Sequence, residues 1–402
     1  MQNLAIRGGL PMRVMITCGP ATSHLYPMVP LAWGLRAAGH EILVVAPENM
    51  RNPVVEAGLA FGSSYGPITI VEAMLDGREQ SGPPQPSDLA ISDEAMGEGF
   101  ARLAQMVLPG SARLAEEWHP DLIITEPTAL DGAVLAVERG IPLIEHRWSL
   151  PVADQIVGSA RRSLVAAGRL DDNVDLAAAL NIDVCPPSFH QAPSSSTTAS
   201  VRYVPYNGAA VYESWMSGRC QRPRVCVTLG SILPNLPWAA EVMRSILDGL
   251  SGLSVDIVVA MDDRSWERVS GSVEVASNVV VTSWVPLGLV LPSCRAIVHH
   301  GGAGTTMTAL VQGVPQLVLP QFADQFANAQ RIADCGIGID LAPTMVRKEI
   351  IADLIGSLLS ENSLMRDRAM GVAVEAQSQK PPSSLIPTLE ELARSAAVTA
   401  VR

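Results

Sequence analysis

The sequence predicts an α/β protein made of two open parallel sheets that face each other across a cleft. Three observations carry this expectation. RVMITCG (13–19), a helix around 28–38 stopped at Gly39, and EILVVAP (41–47) form a strand–helix–strand unit. Its strands are apolar on both faces, as parallel strands covered by helices must be. A second βα series opens at RVCVTLGS (224–231). No short-period repeat is visible, so the repetition is at the scale of a domain. Finally, the chain has 402 residues and is 48% hydrophobic and 17% charged, which suits two domains of ordinary size.

The remaining elements follow in order. DLIITEP (121–127) and IPLIEHR (141–147) read as further strands of the first sheet, with a helix at 129–138 between them. Residues 76–99 are rich in proline, glycine and carboxylates and read as a long loop or cover beside the cleft. Residues 186–200 read as a surface segment, 201–208 as the way out of the first domain, and 217–223 as the turn into the second. There the strands are VDIVVAM (255–261), NVVVTSW (278–284), AIVHH (296–300) and QLVLP (316–320). Helices are expected near 237–250, from 304, and at 325–334, 346–358 and 361–376. An amphipathic piece at 385–397 is expected to return to the first domain. The expected division is 13–210, 222–380 and a C-terminal helix in 381–402.

Composition excludes several classes. Net charge is −12, and Lys348 and Lys380 are the only lysines. No basic run is present to hold nucleic acid or an anionic membrane. No apolar run reaches the length of a membrane span, so stable membrane insertion is not expected. The start MQNLAIRGGLPM does not read as a secretory signal. The six cysteines form no C-x-x-C pair or zinc spacing and read as free thiols in a reducing cytoplasm.

The chemistry concentrates in IVHHGGAGTT (297–306), where a strand runs into glycines and then a helix. Gly301, Gly302 and Gly304 carry no β-carbon to keep a ligand from the peptide amides. The helix start, with Thr305 and Thr306 in its first turn, offers unpaired N–H groups and a positive dipole end to an anion. His299 could donate to a phosphate oxygen. A tight turn without a ligand is the competing reading. There is no G-K-[ST] for a P-loop, and Met307 breaks a dinucleotide fingerprint begun at Gly302; Asp324 lies about 20 residues on, where a ribose-binding acid would be sought, so a dehydrogenase stays as a minor alternative. Three segments reach the same sheet edge. LGS (229–231) offers Ser231. SWVPL (283–287) offers Trp284 to stack on a flat base and the Val285 backbone to pair with its edge. PQFADQFANA (320–329) offers Asp324 and Gln325 to vicinal hydroxyls. Core packing for Trp284 and helix capping for Asp324 stay open as alternatives. Together the segments describe a nucleotide-sugar site.

The order LGS, WVPL, HHGGAGTT and P-x-x-ADQ resembles the donor-binding half of family 1 glycosyltransferases of the GT-B type. These have two Rossmann-like domains facing across a cleft. The bacterial enzymes that attach deoxysugars to polyketides and other antibiotics are the most similar. The resemblance runs from Arg13 to the last helix. It implies that His299 and the Gly304–Thr305 turn hold the diphosphate with help from Ser231. It further implies that Trp284 stacks on uracil or thymine and that Asp324 and Gln325 contact the sugar. SHLYPMVPLAWGLRAAGHE (23–41) resembles the family's opening loop and helix, which places the general base at His24. Imidazole suits that task, because its pKa lies near working pH. Glu126 stands where the family has an acid that orients the histidine, with Glu replacing the more common Asp. Ser23 replaces a common Gly. The S-H-L form is similar to transferases of macrolide and anthracycline pathways, some of which need a cytochrome P450-like helper protein.

The expected reaction is therefore an inverting, metal-independent transfer of a (deoxy)sugar from a TDP- or UDP-sugar to a hydroxyl of an apolar acceptor. The donor is a substrate, and no cofactor is implied. A nucleotide-sugar epimerase of the same fold and a catalytically silent glycosyltransferase-like partner are the alternatives. The need for a helper and the formation of a homodimer stay open, as does O- versus C-linkage. His40 reads as capping and packing. His146, Met74 and Phe100 read as structural residues near the acceptor side.

Overall fold

A computed structural model describes residues 11–75, 89–190, 196–216, 218, 220–271, 277–282, 284–360 and 363–400. The first lobe carries a parallel seven-stranded sheet: β1 (Arg13–Thr17), β2 (Glu41–Pro47), β3 (Ala60–Tyr65), β4 (Leu122–Thr125), β5 (Leu143–His146), β6 (Leu180–Asp183) and β7 (Thr198–Ser200). Their order is β3-β2-β1-β4-β5-β6-β7. The second lobe carries six parallel strands: β8 (Arg224–Thr228), β9 (Asp256–Ala260), β10 (Val279–Thr282), β11 (Ala296–His299), β12 (Gln316–Val318) and β13 (Gly338–Asp340). Their order is β10-β9-β8-β11-β12-β13. Helices cover both faces of each sheet, so central strands such as β4 and β8 are buried at every residue.

The order of strands fixes where ligands go. In the first sheet the direction of winding reverses between β1 and β4, which pair with Thr17 opposite Thr125. In the second it reverses between β8 and β11, which pair with Thr228 opposite His299. Loops leaving neighbouring strands at such a reversal go to opposite faces and open a crevice beyond the carboxyl ends. His24 and Glu126 lie just past β1 and β4. Ser231 and His300 lie just past β8 and β11.

Two expectations need correction. The segment 76–99 is not one long loop. A 30-residue helix, Leu89–Trp118, begins inside it, while 76–88 lie outside the described residues. Gly97 and Gly99 looked like loop signals because glycine weakens an isolated helix. Their role is close packing. A β-carbon on Gly97 would stand 2.4 Å from the Ile156 carbonyl of the helix Asp154–Ala166, and one on Gly99 would meet Met74 at 2.7 Å. Likewise 186–200 is not all surface: Phe189 is fully buried and β7 closes the sheet.

The helix Ile386–Ala400 returns to the first lobe as expected. Leu385, Leu389 and Ala393 join the core that contains Leu25, Leu31 and Leu35. His40 accepts from the Met12 amide at 3.1 Å, and its other ring nitrogen lies 3.3 Å from Glu390 of that helix. The chain crosses between lobes at 201–213 and again at 379–385, and at these crossings the Arg202 amide donates to the Lys380 carbonyl at 2.9 Å. All six cysteines are free.

Candidate active site

A cavity of ≈ 1100 Å³ lies between the lobes. On its first-lobe wall stands His24, in the short helix Thr22–Leu25 after β1. Its Nδ1 lies 2.9 Å from Glu126 Oε1 and 3.3 Å from the Thr128 hydroxyl. The ring packs against Trp148 with centroids 4.6 Å apart. Glu126 is 1% exposed. A buried carboxylate needs donors, and it has them: Gly19 N–H at 3.1 Å, Thr128 N–H at 2.6 Å and the Thr128 hydroxyl at 2.9 Å. Burial works to lower the His24 pKa. The adjacent Glu126 charge and hydrogen bond, with help from Asp324, outweigh it, so the net shift is upward. With Nδ1–H directed at the carboxylate, Nε2 is the free basic nitrogen.

Behind this pair Asp131 is buried and accepts from the Ser111 hydroxyl at 2.7 Å. Burial first, and then the charge of Glu126, push Asp131 up to about 7 against that hydrogen bond.

At the glycine turn the second-lobe wall is made of backbone. Gly302 caps the helix Ala303–Val311, and the first bond within the helix runs from the Thr306 amide to the Gly302 carbonyl at 3.0 Å. The amides at 303–305 precede that bond, and Gly302, Gly304 and Thr305 line the cavity. Gly301, at φ +91°, adopts a backbone conformation that side chains disfavour.

Here one expectation is overturned. His299 does not face the cleft. It is fully buried, its Nε2 lies 2.9 Å from Gln316 Oε1, and its Nδ1 accepts from the Gly301 amide at 3.1 Å. Burial pushes its pKa down to about 3, so it stays neutral and braces the turn. Adjacent residues at a strand end point to opposite faces. His300 therefore takes the cleft side, and burial pushes it down to about 4. Its ring is held between two glycines. A β-carbon on Gly230 would approach Cε1 to 2.5 Å, and one on Gly302 would approach Nε2 to 2.5 Å. β11 is buried at every residue, so no alternation in the sequence distinguishes the two histidines.

The other second-lobe candidates reach the cavity. Ser231 is exposed at the end of the β8 loop. Trp284 is 42% exposed, donates its indole N–H to the Asn207 carbonyl, and stands edge-on to Tyr26 at 6.3 Å. Val285 is buried beside it. Asp324 keeps its side chain open to the cleft, yet the crowding walls raise its pKa, opposed by His24 and a hydrogen bond from Asn328. Gln325 is only partly available, because its Oε1 already accepts from the Gln321 and Phe322 amides at 2.9 and 3.2 Å.

The rest of the first-lobe wall carries no marked sequence motif. Val71, Met74, Met96, Phe100, Leu150 and Ile156 give it an apolar lining. Met74 and Phe100 thus reach the cavity as well as pack. His146 does not line it. It is 1% exposed, with Nδ1 2.8 Å from the Arg147 carbonyl. Among the described residues no cluster of three His, Cys, Asp or Glu could hold a metal ion, and no helix is long and apolar enough to cross a membrane.

Comparison with known proteins fits this geometry. The family described as erythromycin biosynthesis protein CIII-like matches through its N-terminal domain at 33–230 and its C-terminal domain at 244–392. An L-demethylnoviosyl transferase of Streptomyces niveus is 39% identical over 333 residues, covering 82% of this chain and 85% of that one. The glycosyltransferase SsfS6 of Streptomyces sp. SF2575, solved with thymidine diphosphate, superposes with a TM-score of 0.79 at 31% identity, covering 94% of this chain and 99% of that one. The spinosyn rhamnosyltransferase SpnG, solved with spinosyn aglycone, gives 0.81 at 30% identity, covering 94% and 100%. The two sheets across a cleft are thus the GT-B fold, and the chain belongs to the erythromycin biosynthesis protein CIII-like family as a glycosyltransferase of the antibiotic deoxysugar type.

Proposed function

We propose that the chain moves a deoxysugar from a TDP-sugar to a hydroxyl of an apolar, polyketide-like acceptor, with inversion at the anomeric carbon. One observation carries the reading: a buried carboxylate aligns an imidazole at the same cavity that the unpaired amides of the Ala303–Val311 helix line. His24 Nε2 takes the acceptor proton while Glu126 holds Nδ1–H and stabilises the imidazolium that forms. The acceptor oxygen attacks the anomeric carbon in line, and the nucleoside diphosphate leaves. Its growing charge meets the amides at 303–305 and the helix dipole rather than a divalent cation. Trp284 and Val285 hold the base, Ser231 assists at the diphosphate, and Asp324 with the free part of Gln325 reads the sugar. The thymidine diphosphate bound by SsfS6 supports TDP over UDP. The aglycone bound by SpnG and the apolar lining here support the acceptor class.

The test is His24→Ala, assayed in EDTA with TDP- and UDP-sugars against aromatic and macrolide aglycones. Turnover is expected to fall by roughly 10²- to 10⁴-fold, while calorimetry shows TDP binding unchanged. Wild-type turnover in the variant removes His24 from the mechanism. A wild type that transfers only with added Mg²⁺ sinks the metal-independent step, and an α-configured product from an α-donor sinks inversion.

A further inference from the structure

We infer that Asn328 is a positioning residue that ties the two walls of the active site together, orienting the phosphate turn and Asp324 against the side of the cleft that carries His24. Asn328 is 1% exposed, and each of its polar atoms is committed. Its Oδ1 accepts from the Ser149 hydroxyl of the first lobe at 3.1 Å. Its Nδ2 donates to the Gly301 carbonyl at 2.9 Å and to Asp324 Oδ2 at 3.1 Å. The contact from Ser149 fixes which way the amide faces, because a hydroxyl that donates to Oδ1 leaves the NH₂ for the other two partners. Ser149 is itself buried and follows Trp148, the ring against which His24 packs.

The consequences are local and specific. Holding the Gly301 carbonyl toward Asn328 keeps the left-handed turn in place, and with it the aim of the amides that follow. Donating to Asp324 favours its charged form, which crowding in the cleft disfavours. The titratable group that faces Asp324 is His24, from the helix Thr22–Leu25 on the opposite wall. Asn328 does not line the cavity, so it acts through these partners.

This inference rests on the proposed reading of Asp324 and the phosphate turn, and its test separates the two. In Asn328→Asp the link to Ser149 is kept but both donors are lost, and a second carboxylate is placed beside Asp324. We expect kcat to fall about 30-fold, as misplacement of a reacting group does, with the donor KM within about threefold. The acidic limb of the rate profile moves to higher pH, because both Asp324 and His24 then hold protons more tightly. Carboxyl NMR of Asp324 reads the contact without turnover, and its midpoint is expected to rise by about 1 unit. Ser149→Ala, the milder variant, lowers kcat a fewfold without moving that midpoint. An Asp324 midpoint unchanged in Asn328→Asp, or a kcat loss that only matches the fraction of enzyme unfolded, overturns the inference. A wild type that neither binds TDP nor transfers sugar from it overturns the functional reading instead, and the NMR titration still judges Asn328.

Discussion

The two walls of the cleft solve the same problem with different materials. At its centre the second-lobe wall presents backbone: amides at 303–305 and a turn at Gly301, with the His300 ring held between Gly230 and Gly302. The first-lobe wall presents side chains: His24 on Glu126, then the apolar faces of the Leu89–Trp118 and Asp154–Ala166 helices. On the proposed reading the diphosphate is common to every donor, so fixed peptide dipoles serve it and leave little to vary. An acceptor differs between enzymes, and side chains can be exchanged without disturbing the sheet beneath. The proposed function would thereby separate binding of the common group and choice of the variable one onto two sheets.

Substitutions can break that separation. Glu126→Gln is expected to have the largest effect. It removes the charge that raises the His24 pKa, so the acidic limb of kcat should move to lower pH while kcat falls on the order of 10²-fold. A pH–rate profile with an unmoved limb would detach the carboxylate from His24. Gly302→Ala comes next, because its β-carbon would press on the His300 ring at 2.5 Å. TDP affinity should drop roughly tenfold or more, about 1.4 kcal/mol, with acceptor KM little changed. Equal losses on both substrates would show that the walls are not independent. Met96→Ala, on the apolar wall, should raise acceptor KM a fewfold, as expected for about 1 kcal/mol of lost burial, and leave TDP binding as it was.

The same contrast explains what the sequence disclosed. The second-lobe site was legible because bare glycines, a tryptophan and the ADQ cluster sit at strand ends in a fixed order. The His24–Glu126 pair was legible only through the resemblance, since the partners are 102 residues apart in the chain. His299 was misplaced because composition does not say which of two adjacent histidines faces in. That is settled by the pleat and by Gln316 lying in reach on the neighbouring strand. The Leu89–Trp118 helix was hidden by its own glycines, whose value appears only once Ile156 and Met74 stand against them. Short strands such as β7 and β13, three residues each, carry too few residues to show a period. Asn328 was in plain view within FANA, yet its partners come from both lobes and no local pattern marks it.

The lobes are joined by two covalent straps rather than one, and the Arg202–Lys380 hydrogen bond laces the straps side by side. A single tether would let the halves swivel and slide. Two laced tethers restrain both movements more than one would, which favours a fixed alignment of the walls. Severing the chain between Lys380 and Leu385 would cut one strap and leave Leu385, Leu389 and Ala393 on the first lobe without their covalent link to the second, costing alignment before it costs chemistry.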